Sequence, residues 1–178
     1  SSRRQRQMCI RDRLLVDLAM SQFTATPPAR WADLGTGSGA IAVALARAWP
    51  TAPGHGVDLS SDALQLAERN LERCAPHHNC SLHLGSWWSP LKSWWGSLDL
   101  VVSNPPYIPS AVVDGLEAVV RDHEPHLALL GGADGLDAIR TVVDGALMGL
   151  SPGGWLLLEH HHDQSARVTQ LLLSLIHI

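Results

Sequence analysis

A short apolar segment that runs into three closely spaced glycines constrains the fold more than any other part of this sequence. Residues 30–34 read as a buried strand, and the alanine-rich stretch 40–46 reads as a helix. The loop between them consists of Gly35, Thr36, Gly37, Ser38 and Gly39. A strand, a glycine loop and a helix in this order are typical of nucleotide-binding α/β folds. The spacing fits neither the dinucleotide fingerprint nor a phosphate-binding loop, since no lysine follows Gly39, so a ligand without phosphates is favoured over NAD or ATP.

A second predicted strand, residues 55–58, ends in the carboxylate of Asp58, 19 residues after Gly39. In nucleotide-binding α/β folds an acid at about this distance binds ribose hydroxyls. The alternative is a turn or helix-capping role for Asp58. Because the next three polar residues, Ser60, Ser61 and Asp62, already offer caps for the following helix, we prefer the ribose-binding role.

The third informative segment follows an apolar strand predicted at residues 98–103. It consists of Asn104, Pro105, Pro106 and Tyr107. Two prolines cannot continue a sheet ladder, so the strand ends there and the backbone is stiffened. The Asn104 side-chain oxygen and the Pro105 carbonyl could each accept one hydrogen of a planar NH2 group, and Tyr107 could stack on its flat face. The alternative is a Pro-Pro turn with a buried tyrosine.

These residues resemble the NPPY signature of amino methyltransferases that use S-adenosylmethionine. More closely, the chain resembles the catalytic domain of the HemK/PrmC family, which methylates the glutamine amide of peptide-chain release factors. The matching segments are 33–39, 57–64, 102–108, 124–136 and 152–159. The resemblance implies that S-adenosylmethionine is held by the glycine loop, Asp58, Trp87 and Asn104, with Trp87 on the adenine side. It implies that Asn104, Pro105, Pro106 and Tyr107 form the catalytic turn. Ser86 stands where the family has an acid.

The predicted fold is α/β, a doubly wound and mainly parallel sheet of the class I methyltransferase type with helices on both faces. Five strands are expected, at 30–34, 55–58, 80–84, 98–103 and 154–159, and the last two strands of the family's sheet are expected to be absent. Helices are predicted at 136–150, with its stripe of Ile139, Val142, Val143, Ala146, Leu147 and Leu150 packed on the sheet, and at 163–173. Trp88, Trp94 and Trp95 are expected to pack around an inserted loop.

We expect three regions along the chain. Residues 1–13 show no helical or strand period and are interpreted as a non-native or disordered arm, and residues 174–178 as a non-native tail. Residues 14–173 are interpreted as a methyltransferase catalytic domain that is truncated at both ends.

Charge favours a protein or small-molecule acceptor over nucleic acid. From residue 14 onward the sequence has 8 basic and 16 acidic residues, whereas nucleic-acid enzymes generally carry a basic face. Cys9, Cys74 and Cys80 form no metal or redox motif, and the run His160–His162 is expected to be solvated, so no metal is predicted. A cytoplasmic monomer acting on a release factor, without nucleic acid or membrane, is expected.

Three alternatives stay open. The acceptor could be a glutamine of a ribosomal protein, or the enzyme could methylate adenine N6 or guanine N2. The chain could also be a non-enzymatic remnant that binds the cofactor weakly or not at all.

Overall fold

The structure, a computed structural model, describes residues 10–105 and 135–174. The described residues form two compact units, each treated separately below. The first comprises residues 10–104 and 148–159, and the second comprises residues 105, 135–147 and 160–174.

The first unit contains a five-stranded sheet and three α-helices. The strands are β1 (Trp31–Leu34), β2 (Gly54–Asp58), β3 (Cys80–Leu84), β4 (Leu98–Ser103) and β5 (Leu150–Leu158). The helices are α1 (Ile10–Gln22), α2 (Ala40–Ala48) and α3 (Ser61–Cys74), with a 3-10 helix at Ser89–Trp94. Ser60 caps α3, because its hydroxyl oxygen accepts a hydrogen bond from the Ala63 amide.

The strand order is β3-β2-β1-β4-β5, and all four neighbouring pairs are parallel. The predicted parallel α/β sheet is therefore confirmed. The chain winds outward from β1 through β2 to β3 and then returns to the other side of β1 with β4 and β5. The strand order thus reverses between β1 and β4, the position at which open α/β sheets bind ligands beside the carboxyl ends of their strands.

Three helices cover one face of this sheet. Trp31, Leu100 and Val102 point to that face and pack with apolar side chains of α1, α2 and α3 in a single cluster. Gly54 is required beside Trp31, because a Cβ atom at Gly54 would lie 2.1 Å from the indole ring.

Strand β5 begins earlier than predicted, at Leu150 instead of residue 154. Leu150 pairs with Leu98 and Trp155 pairs with Leu100, so an irregularity in β5 accommodates the intervening Pro152, Gly153 and Gly154. Bulges are the places in a sheet where proline and glycine are tolerated.

The second unit contains most of helix α4 (Asp137–Gly149), which precedes β5 and whose last two residues belong to the first unit. It also contains α5 (Ser165–Ser174), which comes after a 3-10 helix at His162–Gln164. Four residues of the predicted stripe are buried: Ile139, Val142, Val143 and Ala146. The other two residues of the predicted stripe, Leu147 and Leu150, do not belong to a buried helical stripe. Leu147 is 52% exposed, and Leu150 already belongs to β5.

Helix α1 begins at Ile10, so residues 10–13, for which the sequence predicted no regular structure, are helical. No helix in the described ranges is long and apolar enough to cross a membrane.

Two glycines of the same loop have different structural demands, which gives a test of the packing between α2 and α3. Both have positive φ, 54° at Gly37 and 80° at Gly39. A Cβ at Gly39 would lie 2.9 Å from the Ala67 Cβ in α3, whereas a Cβ at Gly37 would meet nothing within 4 Å. Backbone strain should lower the free energy of unfolding of both alanine variants by about 1–2 kcal/mol. Overpacking against Ala67 should lower that of Gly39→Ala by a further 1–3 kcal/mol, roughly.

Urea unfolding of Gly39→Ala, with Gly37→Ala as the matched control, measures this difference. Equal losses of unfolding free energy in the two variants would show that Gly39 does not set the distance between α2 and α3.

Candidate functional site

Four predicted site segments lie at the carboxyl ends of neighbouring strands in the first unit. The glycine loop follows β1, Asp58 ends β2, Trp87 follows β3, and Asn104 follows β4. The loop and Asn104 therefore flank the point where the strand order reverses. The Ser103 hydroxyl donates to the Leu34 carbonyl at 2.6 Å and so joins the ends of β4 and β1 beneath this point.

The glycine loop uses most of its own backbone donors. The Gly35 and Thr36 amides both donate to the Val57 carbonyl at 2.9 Å, and the Gly39 amide donates to the Thr36 carbonyl at 2.8 Å. The Gly37 amide donates to Asp58 Oδ2 at 2.8 Å. A phosphate-binding loop needs such N–H groups directed at its ligand. This loop therefore has the geometry for close approach to a ligand, and four of its five amides are bonded within the protein instead of being directed at a phosphate.

Asp58 fixes the loop as well as facing the site. Its Oδ2 accepts from the Gly37 amide and its Oδ1 accepts from the Ser60 amide at 2.9 Å. A carboxylate can accept about four hydrogen bonds, so each oxygen retains capacity for a further donor. The turn role and the ligand role, weighed as alternatives from the sequence, are compatible.

Asp33 is a site residue that sequence reasoning missed. It lies buried in β1, and its Oδ2 accepts from the Thr36 hydroxyl at 2.7 Å and from the Ala42 amide of α2 at 3.1 Å. Burial raises the pKa of Asp33 to about 7, and the negative charges of Asp12 and Asp58 add to the rise, whereas the two hydrogen bonds oppose it. An acid inside an otherwise apolar strand was the available signal, because a carboxylate there needs local donors.

Thr36 and Ser38 contribute differently from the glycines. The buried Thr36 hydroxyl donates a hydrogen bond to the Asp33 carboxylate, and this bond holds the loop in place. The Ser38 side chain is exposed, and its carbonyl accepts from the Asn70 side chain at 2.9 Å. Of the three loop glycines, Gly37 has the most open surroundings.

Trp87, for which the resemblance implies a place on the adenine side of the cofactor, lies against the glycine loop. A Cβ at Gly35 would lie 3.4 Å from its six-membered ring, and Trp87 itself has a positive φ of 45°. Such a conformation is strained for a bulky residue and is found mostly at functional sites. Ser86 is exposed, as are Leu59, which follows β2, and Leu84, which ends β3, at 58% and 62%.

Two of the three tryptophans that were expected to pack around an inserted loop, Trp88 and Trp94, pack against other side chains or backbone. Trp88 is buried against Gly149. Trp94 stacks on His55 with ring centroids 4.2 Å apart, and His55 Nδ1 lies 3.0 Å from His83 Nε2. Burial lowers the pKa of His55 to about 4, with His83 and Arg30 adding to the effect, so His55 is neutral at pH 7. This pair is a packed structural element of β2 and β3.

Among the residues that the structure describes, Asn104 has one side-chain hydrogen bond, in which its Nδ2 donates to Asp12 Oδ1 at 2.9 Å. The bond identifies Nδ2 as a donor, and the other side-chain atom, Oδ1, is an acceptor. Pro105 is buried. Pro106 and Tyr107, the other two members of the predicted catalytic turn, lie outside the described residues, as does most of the matching segment 124–136.

Comparison with known proteins agrees with this geometry. A model of the methyltransferase small domain matches residues 14–132. A release factor glutamine methyltransferase of Prochlorococcus marinus is 56% identical over 162 residues, covering 90% of this chain and 55% of the relative. Another, of Thermosynechococcus vestitus, is 46% identical over 144 residues, covering 81% of this chain and 50% of the relative. The chain thus spans about half the length of the curated relatives it matches.

A solved structure shows the same fold at low identity. The ribosomal protein L11 methylase of Lactobacillus delbrueckii subsp. bulgaricus has a TM-score of 0.66 at 18% identity, covering 94% of this chain and 69% of that one. This likeness bears on the fold alone.

The raised pKa of Asp33 predicts a pH dependence of stability. The folded state binds this proton up to about pH 7, whereas the carboxyl's ordinary pKa is 3.8. Between these values the native state holds more protons than the unfolded state, so the Asp33 contribution to unfolding free energy falls as pH rises from about 4 to about 7. Asp33→Asn should remove this fall, and the variant should gain stability relative to the parent as pH rises.

Urea unfolding at several pH values measures the difference between the two proteins, with Asp62→Asn as the control for loss of one exposed carboxyl. A parent-minus-variant difference that stays constant across the window would contradict the buried, proton-binding Asp33.

Proposed function

The chain belongs to the methyltransferase small domain family, and from that premise we propose that it catalyses methyl transfer from S-adenosylmethionine to a glutamine side-chain amide. We propose a peptide-chain release factor, in the cytoplasm, as the protein that carries this glutamine. The observation that carries the proposal is that the glycine loop, which is bonded to Asp58, and Asn104 flank the point where the strand order reverses between β1 and β4. The similarity to release factor glutamine methyltransferases supports the choice of acceptor.

The chain's own residues fit S-adenosylmethionine better than a phosphorylated cofactor. The loop amides of Gly35, Thr36, Gly37 and Gly39 are engaged within the protein, so few are left for phosphates. Asp58 retains acceptor capacity for ribose hydroxyls, and its bond to the Gly37 amide orients it. Trp87 provides a flat apolar surface for the adenine. When bound, S-adenosylmethionine supplies an electrophilic methyl group on a sulfonium.

Asn104 is proposed to orient the acceptor amide. An amide nitrogen is a poor nucleophile because its lone pair is delocalised. The Asn104 Oδ1 and the Pro105 carbonyl would each accept one N–H of this group and draw the lone pair toward the methyl. The bond from Asn104 Nδ2 to Asp12 orients the side-chain amide, so that Oδ1 is the atom that would accept from the substrate. Catalysis would then rest on orientation and electrostatics, with Pro106 stiffening the turn and Tyr107 stacking on the amide.

The charge of the chain favours a protein acceptor. From residue 14 onward acidic residues outnumber basic ones by 16 to 8, which disfavours binding to a nucleic-acid backbone.

The role of Asp58 on the ribose can be separated from its role in the loop. Asp58→Ala should weaken binding of S-adenosylhomocysteine by about ten- to a hundredfold, the equivalent of one charge-assisted hydrogen bond or more. Because the variant also frees the Gly37 and Ser60 amides, weaker binding alone does not identify the cause.

The 2′,3′-dideoxyribose analogue of S-adenosylhomocysteine supplies the control. The parent should bind this analogue more weakly than the natural compound, and Asp58→Ala should bind both about equally, as calorimetry would record. Undiminished discrimination by the variant would assign the ribose contact to another residue.

Asn104→Ala should reduce methyl transfer by about a hundredfold, as loss of one group that stabilises the transition state does elsewhere. Cofactor affinity and melting temperature should change much less. The assay uses S-adenosylmethionine with a radiolabelled methyl group and unmodified bacterial release factor. Asp12→Ala is the matched control, because it removes the same hydrogen bond and keeps the Asn104 oxygen.

Equal losses in the two variants would show that the hydrogen bond, and not the oxygen of Asn104, is what matters. Incorporation of the label into nucleic acid, or its failure to enter any protein, would contradict the proposed acceptor.

A further inference from the structure

Three consecutive residues of the second unit, His161, His162 and Asp163, bring two imidazoles and a carboxylate together. One ligand atom from each lies within 4.8 Å of the others. From the sequence, the run His160–His162 is expected to be solvated, with no metal bound. The structure adds a carboxylate to this run, since Asp163 Oδ2 lies 3.4 Å from His161 Nδ1 and Asp163 Oδ1 lies 2.6 Å from His162 Nε2.

The backbone fixes this His–His–Asp cluster. His162 and Asp163 begin the 3-10 helix, and His161 is its N-cap. The Gln164 side chain accepts from the His161 amide at 3.1 Å and donates to the Gly135 carbonyl at 3.1 Å, where Gln164 is buried. The His161 side chain also accepts from the Gln164 backbone amide, so binding of an ion through that nitrogen would replace this bond. The buried anchor fixes the backbone of the three ligand residues, which limits the backbone ordering that an ion would have to bring about.

The distances suit a small divalent ion. Ligand bonds of about 2.0–2.2 Å in tetrahedral geometry place ligand atoms about 3.3–3.6 Å apart, close to the separation of His161 Nδ1 from Asp163 Oδ2. The shorter His162–Asp163 contact needs only rotation of exposed side chains to widen, since these side chains are 81% and 72% exposed. The same exposure allows water to complete the coordination.

The donor set indicates which metals fit. Imidazole with carboxylate suits zinc, copper and nickel, whereas magnesium and calcium prefer oxygen ligands throughout. His160 does not join the cluster, because its Nδ1 lies 2.8 Å from the His161 carbonyl. We propose that His161, His162 and Asp163 form a binding site for a divalent transition metal ion of the zinc type.

Calorimetric titration of the whole chain with Zn²⁺, at pH about 7.5 where imidazole is mostly neutral, tests the proposal. His162→Ala and Asp163→Asn are the test variants, since His161 also participates in the cap with Gln164. Each should weaken the binding event by at least about tenfold. His77→Ala is the matched control, because His77 and His78 are another adjacent pair but belong to no such cluster in the described part of the chain.

Melting temperature gives an independent readout. Saturating Zn²⁺ should raise it in the parent and in His77→Ala by mass action, and less in the two test variants. Zinc affinity and melting shift that are unchanged in both test variants would overturn the proposal, as would a loss of affinity in His77→Ala equal to theirs. Either of these outcomes would overturn only the metal site and not the proposed methyl transfer, because the two sites share no residue.

Discussion

Two carboxylates hold the glycine loop, and the candidate site depends on them. Asp33, buried in β1, accepts from the Thr36 hydroxyl and from an amide at the start of α2, while Asp58, at the end of β2, accepts from the Gly37 amide. The loop is thereby fixed to two neighbouring strands and to the helix that follows it. Because four of its five amides, those of Gly35, Thr36, Gly37 and Gly39, are bonded within the protein, the loop can approach a ligand closely while presenting few donors to a phosphate. The same two contacts place Asp58 where a ribose could reach it.

The parallel sheet places the remaining groups. With β1 between β2 and β4, the loop, Asp58 and Asn104 must lie at the same edge, and the Ser103 hydroxyl joins the ends of β4 and β1. Trp87 reaches this edge from β3 in a strained conformation and contacts the loop at Gly35. Asp33, with its raised pKa, costs stability near neutral pH, which is a common consequence of a buried charge retained at a functional site.

Position along the chain was enough to predict the sheet and the edge residues, because glycines and prolines mark where strands end. Contacts between distant segments were not accessible in this way. The partners of Asp33 depend on how α2 folds back over β1, and the demand for glycine at position 39 comes from Ala67 in α3. The early start of β5 was missed because Pro152, Gly153 and Gly154 read as a turn, whereas the sheet accommodates them as an irregularity. The pairing of His55 with His83 required knowledge of which strands are neighbours.

The central claim is that S-adenosylmethionine binds at the carboxyl edge of the sheet, between the glycine loop and Asp58. A crystal structure of the chain with S-adenosylhomocysteine tests it most directly. We predict density for the adenosine beside Trp87, with the ribose hydroxyls within hydrogen-bond distance of the Asp58 carboxylate. Density for the ligand at any other place, or an empty edge at a saturating ligand concentration, would contradict the account.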